Sequence, residues 1–111
     1  MLKIDGYHAH VYYSDPTTRG EAGELRDAIE GEFGFELGRW RDDAVGPHPV
    51  GSYQVKFGND DLGRFVPWLL LNHRALSVLI HPLTGDDLAD HTTLALWVGK
   101  QLDLRTEFFS R

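Results

Sequence analysis

The chain contains no cysteine. Disulfide bonds, thiolate zinc sites, iron–sulfur clusters and a cysteine nucleophile are therefore excluded. Any metal site has to use histidine, aspartate, glutamate or water as ligands. The six histidines among the 111 residues are the first candidates for such a site.

Positive charge and long apolar runs are also scarce. The chain has 11 Lys+Arg against 17 Asp+Glu, and no basic cluster of the kind that binds nucleic acid. The most apolar run, FVPWLLL, is too short to span a bilayer, and the N-terminal MLKIDGYHAH lacks the apolar core of a secretory signal. We therefore expect a cytoplasmic protein that binds neither nucleic acid nor a membrane.

The remaining composition, 41% hydrophobic and 25% charged, is typical of a single globular domain, here residues 1–111. Alternating apolar and polar residues predict strands at YHAHVYY, SYQVKFG and LSVLIHP, and a further strand is predicted at FELGRWRDD. Apolar residues at helical spacing predict a helix that is capped by Asp15 and ends at Gly34.

Two more helices are predicted after SYQVKFG. The first follows a cap at Asn59 or Asp60, and its Pro67 predicts either a kink or a late start. The second is capped by Thr84 with Asp87 as its capping-box acid, and it is predicted to run to residue 97 or 98. The tail is predicted to form a short strand or an arm on a partner.

The order β-α-β-β-α-β plus a C-terminal helix predicts an α+β, ferredoxin-like sandwich. In this topology the first strand is central, between the third and fourth, and both main helices cover one face of the sheet. Alternation then predicts the core-facing strand residues: Tyr7, Ala9, Val11, Tyr13, Tyr53, Val55, Phe57, Leu76, Val78 and Ile80. It assigns the opposite face to His8, His10, Tyr12, Ser52, Gln54, Lys56, Ser77, Leu79 and His81.

Three histidines share that opposite face. His8 and His10 lie two residues apart on one strand, and His81 lies near the end of the predicted antiparallel neighbour. Neutral imidazoles at such spacing can converge on one metal ion and leave open positions for a substrate. The alternative is that these histidines are solvated or hydrogen-bonded side chains without a metal.

The other histidines allow two interpretations each. His48, in GPHP, is either an exposed residue of a rigid turn or an acid/base group or ligand at a pocket rim. His91 is either a buried histidine of the third helix or a site residue. His73, near a helix end, is interpreted as structural. Arg39 and Arg41, like Lys56, either bind a substrate carboxylate or face solvent.

Four ordered motifs, YHAHVYY, GPHPVGSYQVKF, LSVLIHPLTGDDLADH and ALWVG, resemble the DOPA 4,5-dioxygenase family over roughly residues 5 to 105. The resemblance implies a ferredoxin-like, non-haem iron(II) enzyme that uses dioxygen to open a catechol ring beside its two hydroxyls. The family's histidine pattern falls on His8, His10, His48, His81 and His91. The chain departs from the family at residues 92–94, Thr-Thr-Leu, where members tend to be more polar.

Within that pattern, geometry favours His8, His10 and His81 as metal ligands, with His48 and His91 in acid/base or substrate contact. Iron(II) is the expected metal, with zinc or another divalent ion as the alternative. The expected partners are a catechol such as DOPA, dioxygen and a second copy of the chain in a homodimer. If a carboxylate ligand exists, the candidates are Asp86, Asp87, Asp90 and Glu107. The competing hypotheses are a non-catalytic dimeric binding module and a metalloprotein with another reaction.

Overall fold

Strand β1 (Tyr7–Tyr13) lies at the centre of a five-stranded antiparallel sheet in the computed structural model, which describes residues 2–110. It pairs with β3 (Gly51–Phe57) on one side and with β4 (Ser77–Pro82) on the other. Strand β2 (Glu36–Leu37) flanks β3, and β5 (Leu96–Val98) flanks β4. The predicted position of the first strand, between the third and fourth, is confirmed.

Helix α1 (Pro16–Phe33) begins and ends where the sequence predicts. The Asp15 carboxylate accepts the Thr18 backbone N–H at 2.7 Å, and the Thr18 hydroxyl oxygen accepts the Asp15 N–H at 3.1 Å. This reciprocal capping box satisfies two amide groups that the first helical turn leaves free. Gly34 ends the helix with φ 68°, a left-handed conformation that glycine adopts without strain.

Helix α2 (Leu62–Asn72) follows a short 3-10 turn at Asn59–Asp61. The predicted cap at Asn59 or Asp60 is wrong, because no side chain caps this helix and the Asn59 amide donates instead to a backbone carbonyl near the N-terminus. Pro67 lies inside the helix, so the late start is also wrong.

The core lies between the two long helices and one face of the sheet. All ten strand residues predicted for this core belong to it, with Tyr7 partly buried and the other nine buried. The helices contribute Ala22, Leu25, Ile29, Phe65 and Leu69 to the same cluster. Both helices therefore cover one face, and the histidine-bearing face is left for other contacts.

Helix α3 (Asp87–His91) has only five residues, so the predicted helix to residue 97 or 98 is wrong. Asp86 caps it through its side chain, and Asp87 is simply its first residue. Thr84, the predicted cap, instead donates its hydroxyl to the buried Asp90 carboxylate at 2.5 Å. The chain after α3 forms β5, because the free edge of β4 offers backbone hydrogen bonds to it.

The predicted strand FELGRWRDD is interrupted after β2. Leu37 pairs with Val55 and Arg41 pairs with Ser52, so three residues on one side lie opposite two on the other. This extra residue is a β-bulge, and a one-residue shift in register exchanges the faces of a strand. Trp40 consequently packs against the core on the same side as Leu37.

The tail forms a 3-10 turn at Thr106–Ser110 rather than a strand, and it packs against its own chain. The Arg105 backbone N–H donates to the Pro47 carbonyl at 2.8 Å, and the Phe109 ring lies 4.7 Å from the His91 ring. No helix within residues 2–110 is long and apolar enough to cross a membrane.

Candidate active site

Three histidines meet on the sheet face opposite the helices. His8 and His10 lie two residues apart on β1, and His81 lies on β4 directly opposite His8 in the strand register. Nε2 of His10 is 3.1 Å from Nε2 of His81, and one ring nitrogen of each histidine lies within 4.8 Å of the other two. His10 and His81 are 6% and 2% exposed, whereas His8 is half-buried.

The spacing of these nitrogens fits a shared metal ion. Metal–nitrogen bonds of about 2.1 Å allow two ligand atoms on one ion to lie at most about 4.2 Å apart. The His10–His81 pair meets this limit at 3.1 Å, and the nitrogen of His8 lies within 4.8 Å of the other two. Because the strands that carry these histidines pair directly with each other, the sheet holds the three rings in position.

Burial keeps these imidazoles neutral, which is the form that binds metals. Desolvation holds the pKa of His10 well below its usual range, and the neighbouring histidines lower it further. Burial also lowers the pKa of His81 to about 4 and, more weakly, that of His8. His81 Nδ1 donates to the Pro82 carbonyl at 2.9 Å, so the lone pair of Nε2 is available to a metal.

His48 lies beside this group, with its ring centroid 4.4 Å from that of His10. Its Nδ1 is 2.7 Å from the Tyr12 hydroxyl, and both side chains are buried. Burial, assisted by the nearby His91, lowers the pKa of His48 to about 4. The alternative prediction of an exposed turn histidine is therefore wrong.

His91 approaches the group from the end of α3. Its ring centroid is 4.0 Å from that of His81, and its Nδ1 donates to the Asp87 carbonyl at 2.7 Å. That bond leaves the lone pair on Nε2. His91 is half-buried rather than a core residue, and Phe109 packs on it. His73 lies apart from the cluster and donates to a backbone carbonyl near the end of α2.

One cavity of about 250 Å³ is lined by all five histidines of the predicted pattern. The structure therefore brings together His8, His10, His48, His81 and His91 and leaves out His73. The other lining residues are Pro47, Gln54, Leu83, Asp87, Phe108 and Phe109.

No carboxylate of residues 2–110 joins the three-histidine group. Asp90 is buried, but its two oxygens accept from the Thr84 backbone N–H at 3.0 Å and from the Thr84 hydroxyl. Asp86 caps α3, and Glu107 is exposed on the tail. Asp87 is the one acidic candidate that lines the histidine cavity.

Several residues around the cavity were assigned no role from sequence. Tyr12 and Gln54 could have been found, because alternation places both on the histidine face and Gln54 pairs with His10 in the register. Trp97, whose ring stacks 5.9 Å from that of Tyr12, comes from the unpredicted β5. Phe109 reaches His91 through the fold of the tail, for which the local sequence gives no signal.

Comparisons with known proteins agree with this geometry. The model of the Dopa 4,5-dioxygenase family matches residues 7–108. A DOPA 4,5-dioxygenase of Amanita muscaria is 34% identical over 110 residues, which cover 92% of this chain and 48% of that protein. An uncharacterised 21.2 kDa protein of Botryotinia fuckeliana is 34% identical, with 95% of this chain and 63% of that protein covered. The chain thus spans about half the length of the Amanita relative and less than two thirds of the Botryotinia relative.

A solved structure shares the whole fold. The crystal structure of a protein from Nostoc punctiforme, provisionally assigned as a dioxygenase, superposes with a TM-score of 0.93 at 44% identity. The match covers 96% of this chain and 92% of the Nostoc chain. Together with the family match over residues 7–108, these findings show that the chain belongs to the Dopa 4,5-dioxygenase family.

Proposed function

We propose that the protein is a ring-cleaving, extradiol-type dioxygenase that acts on DOPA or a related catechol. One observation carries the proposal: five histidines line a single cavity, and three of them offer ring nitrogens within 4.8 Å of one another. In the proposed reaction, a ring carbon–carbon bond beside the two hydroxyls breaks and both atoms of dioxygen enter the product. Catechol and dioxygen therefore account for all atoms and electrons.

His8, His10 and His81 would hold the metal, for which we propose iron(II), with zinc or another divalent ion as the alternative. When bound, iron(II) would supply coordination positions for the catechol oxygens and for dioxygen and would relay electrons between them, whereas zinc has no redox chemistry and would imply a different reaction. Three protein ligands suit this task because they leave coordination positions open.

His91 is the proposed base for the first proton transfer. Its Nδ1–H is held by the Asp87 carbonyl, so the Nε2 lone pair can accept a proton from a catechol hydroxyl. The same carbonyl still accepts from Nδ1 after His91 becomes an imidazolium. The backbone of α3 thus fixes the orientation of the ring in both protonation states.

His48 is proposed to handle the second proton transfer, with Tyr12 as the residue that positions it. The Tyr12 hydroxyl lies 2.7 Å from His48 Nδ1, and burial raises the pKa of Tyr12 above its usual range, so Tyr12 keeps its proton and orients the His48 ring. Because burial lowers the pKa of His48 to about 4, a proton that it receives is released easily to a product oxygen. Phe109 packs on His91, and this apolar ring limits the access of water to that part of the cavity.

The direct test measures oxygen uptake by protein that is purified without a histidine tag and loaded with iron(II). A panel that contains DOPA and simple catechols should give oxygen consumption, a yellow ring-opened product and two labelled oxygens from ¹⁸O₂. Absence of turnover across the panel, with iron occupancy verified by metal analysis, would refute the proposed reaction.

A variant pair tests the ligand set separately. His81→Ala should lose most of the bound iron, because it removes one of three ligands, whereas His73→Ala removes a histidine outside the cluster and should retain it. Unchanged iron binding in His81→Ala would show that the ligand set is wrong. The homodimer and the cytoplasmic location stay predictions, which sedimentation and cell fractionation would test.

A further inference from the structure

A second cavity, of about 320 Å³, adjoins the histidine cavity. The two cavities share His10, His48 and Gln54 as lining residues. Arg39 and Arg41 also line the second cavity. This space therefore connects the histidine cluster with two guanidinium groups.

The β-bulge after β2 is what turns both arginines toward this cavity. Regular alternation from Leu37 would place Arg39 and Arg41 on its side, facing the core. The extra residue instead puts Trp40 in the core, 5.0 Å from the Tyr53 ring, and leaves both arginines on the histidine face. Two backbone hydrogen bonds between residues 41 and 52, of 2.8 and 2.9 Å, fix the segment. Bulges often re-aim side chains in this way beside functional sites.

Among residues 2–110, neither guanidinium group has a hydrogen-bonded or ion-paired side-chain partner. The ion pairs in residues 2–110 use other cations: Lys3, Arg19, Arg64 and Arg74. Arg39 and Arg41 are exposed in a chain that has 17 acidic side chains against 11 basic ones, so acidic partners are plentiful in the sequence. Two unpaired arginines on the wall of one cavity favour an anionic ligand, and guanidinium groups match the geometry of a carboxylate.

The second cavity has no acidic side chain in its lining that would bind a cation. Its lining contains no aspartate or glutamate: it consists of His10, Gly38, Arg39, Arg41, Val45, His48, Ser52, Tyr53 and Gln54. Asp87 lines the histidine cavity but not this one. An ammonium group placed here would lack a counter-charge and would be repelled by both arginines.

We infer that the substrate is a catechol whose side chain carries a carboxylate and no ammonium group, with Arg39 and Arg41 as the residues that bind the carboxylate. This inference rests on the proposed function, which supplies the catechol, and it narrows the substrate class. DOPA, an amino acid, carries both charges and would meet only half of these requirements.

Binding measurements without oxygen isolate recognition from turnover. Calorimetry on iron(II)-loaded protein would compare 3-(3,4-dihydroxyphenyl)propanoate with its neutral amide and with DOPA. The amide lacks only the carboxylate charge, and DOPA differs from the acid only by its ammonium group. We expect the acid to bind about 10-fold more tightly than the amide, the lower end for charge-assisted hydrogen bonds because both arginines are exposed. We expect DOPA to bind at least about 3-fold more weakly than the acid.

Substitution of the two arginines tests whether they cause the preference for the acid over the amide. Arg39→Gln and Arg41→Gln should each reduce the acid-to-amide ratio, and the double variant should bring it to about 1 while affinity for the amide stays within about 2-fold. Arg64→Gln removes the same charge from α2, outside both cavities, and should keep the ratio. Because Arg39 and Arg41 are exposed, the variants should fold, and their melting temperatures would verify this.

The outcomes separate this inference from the proposed function. Equal binding of acid and amide, a preference that survives in the double variant, or tighter binding of DOPA would each overturn the inference. If the protein gives one of these results but still cleaves catechols, the proposed reaction is supported and the proposed carboxylate site is rejected. Conversely, an arginine-dependent preference for the acid in a protein that cleaves no catechol would support the carboxylate site and refute the reaction.

Discussion

Replacement of His48 by glutamine should reduce the pH dependence of folding stability by the share that this histidine contributes. His48 is buried, and its pKa falls from 6.5 in the unfolded chain to about 4 in the folded protein. Between these values the unfolded chain binds a proton that the folded protein does not. As the pH falls, the loss of stability therefore starts near pH 6.5 and is complete near pH 4.

The magnitude follows from the two pKa values. At pH 7 the proton linkage of His48 costs only about 0.2 kcal/mol of unfolding free energy, and at pH 5 it costs about 2 kcal/mol. Wild-type protein should therefore lose about 2 kcal/mol more than His48→Gln between pH 7 and pH 5. The comparison across pH removes any constant effect of the lost Tyr12 contact.

Urea unfolding of the metal-free protein, followed by fluorescence of the three tryptophans, provides the assay. His73→Gln serves as the control, because it removes an imidazole that lies outside the cluster. The reasoning fails if His48→Gln loses as much stability between pH 7 and pH 5 as the wild type does.

Three further outcomes are expected. His91→Gln should lower turnover by about 100-fold or more while iron content stays the same, since it removes the proposed base and not a ligand; a parallel loss of iron would make His91 a ligand. Gly51→Ala should destabilise the fold by about 1–3 kcal/mol in urea unfolding, because its Cβ would lie 2.6 Å from the Tyr13 ring, whereas Gly31→Ala has open space and should be neutral or stabilising. Tyr53→Phe should cost about 1–2 kcal/mol in the same assay, because it removes a buried 2.7 Å hydrogen bond to the Ala22 carbonyl; an unchanged midpoint would contradict this.

The local sequence was sufficient to predict the elements whose own residues show a clear periodicity or capping pattern. The alternation in β1, β3 and β4 correctly separated the core face from the histidine face, because apolar side chains occupy one side of each strand and mostly polar ones the other. The capping box at Asp15 and the left-handed Gly34 marked both ends of α1. The strand alternation also placed His8, His10 and His81 on one face.

The errors arose where distant residues decide the structure. Leu88, Ala95 and Val98 follow a helical spacing, but Leu88 is 46% exposed and Val98 belongs to β5. Pairing with the free edge of β4 outweighs that weak periodicity, and the β-branched Thr92 and Thr93 favour a helix little. The bulge after β2 also cannot be predicted from the local sequence, because it is defined only by the pairing register between two strands.

The site also joins elements of unequal stability. The strand that carries His8 and His10 is hydrogen-bonded along both edges at the centre of the sheet, so its amide hydrogens should exchange with solvent only when the whole protein unfolds. His91 and Phe109 come from a five-residue helix and a terminal 3-10 turn, which can open locally at a far smaller cost. We therefore expect the cavity to widen on one side to admit the proposed substrate and release its product, while the ring nitrogens on the strands keep their spacing.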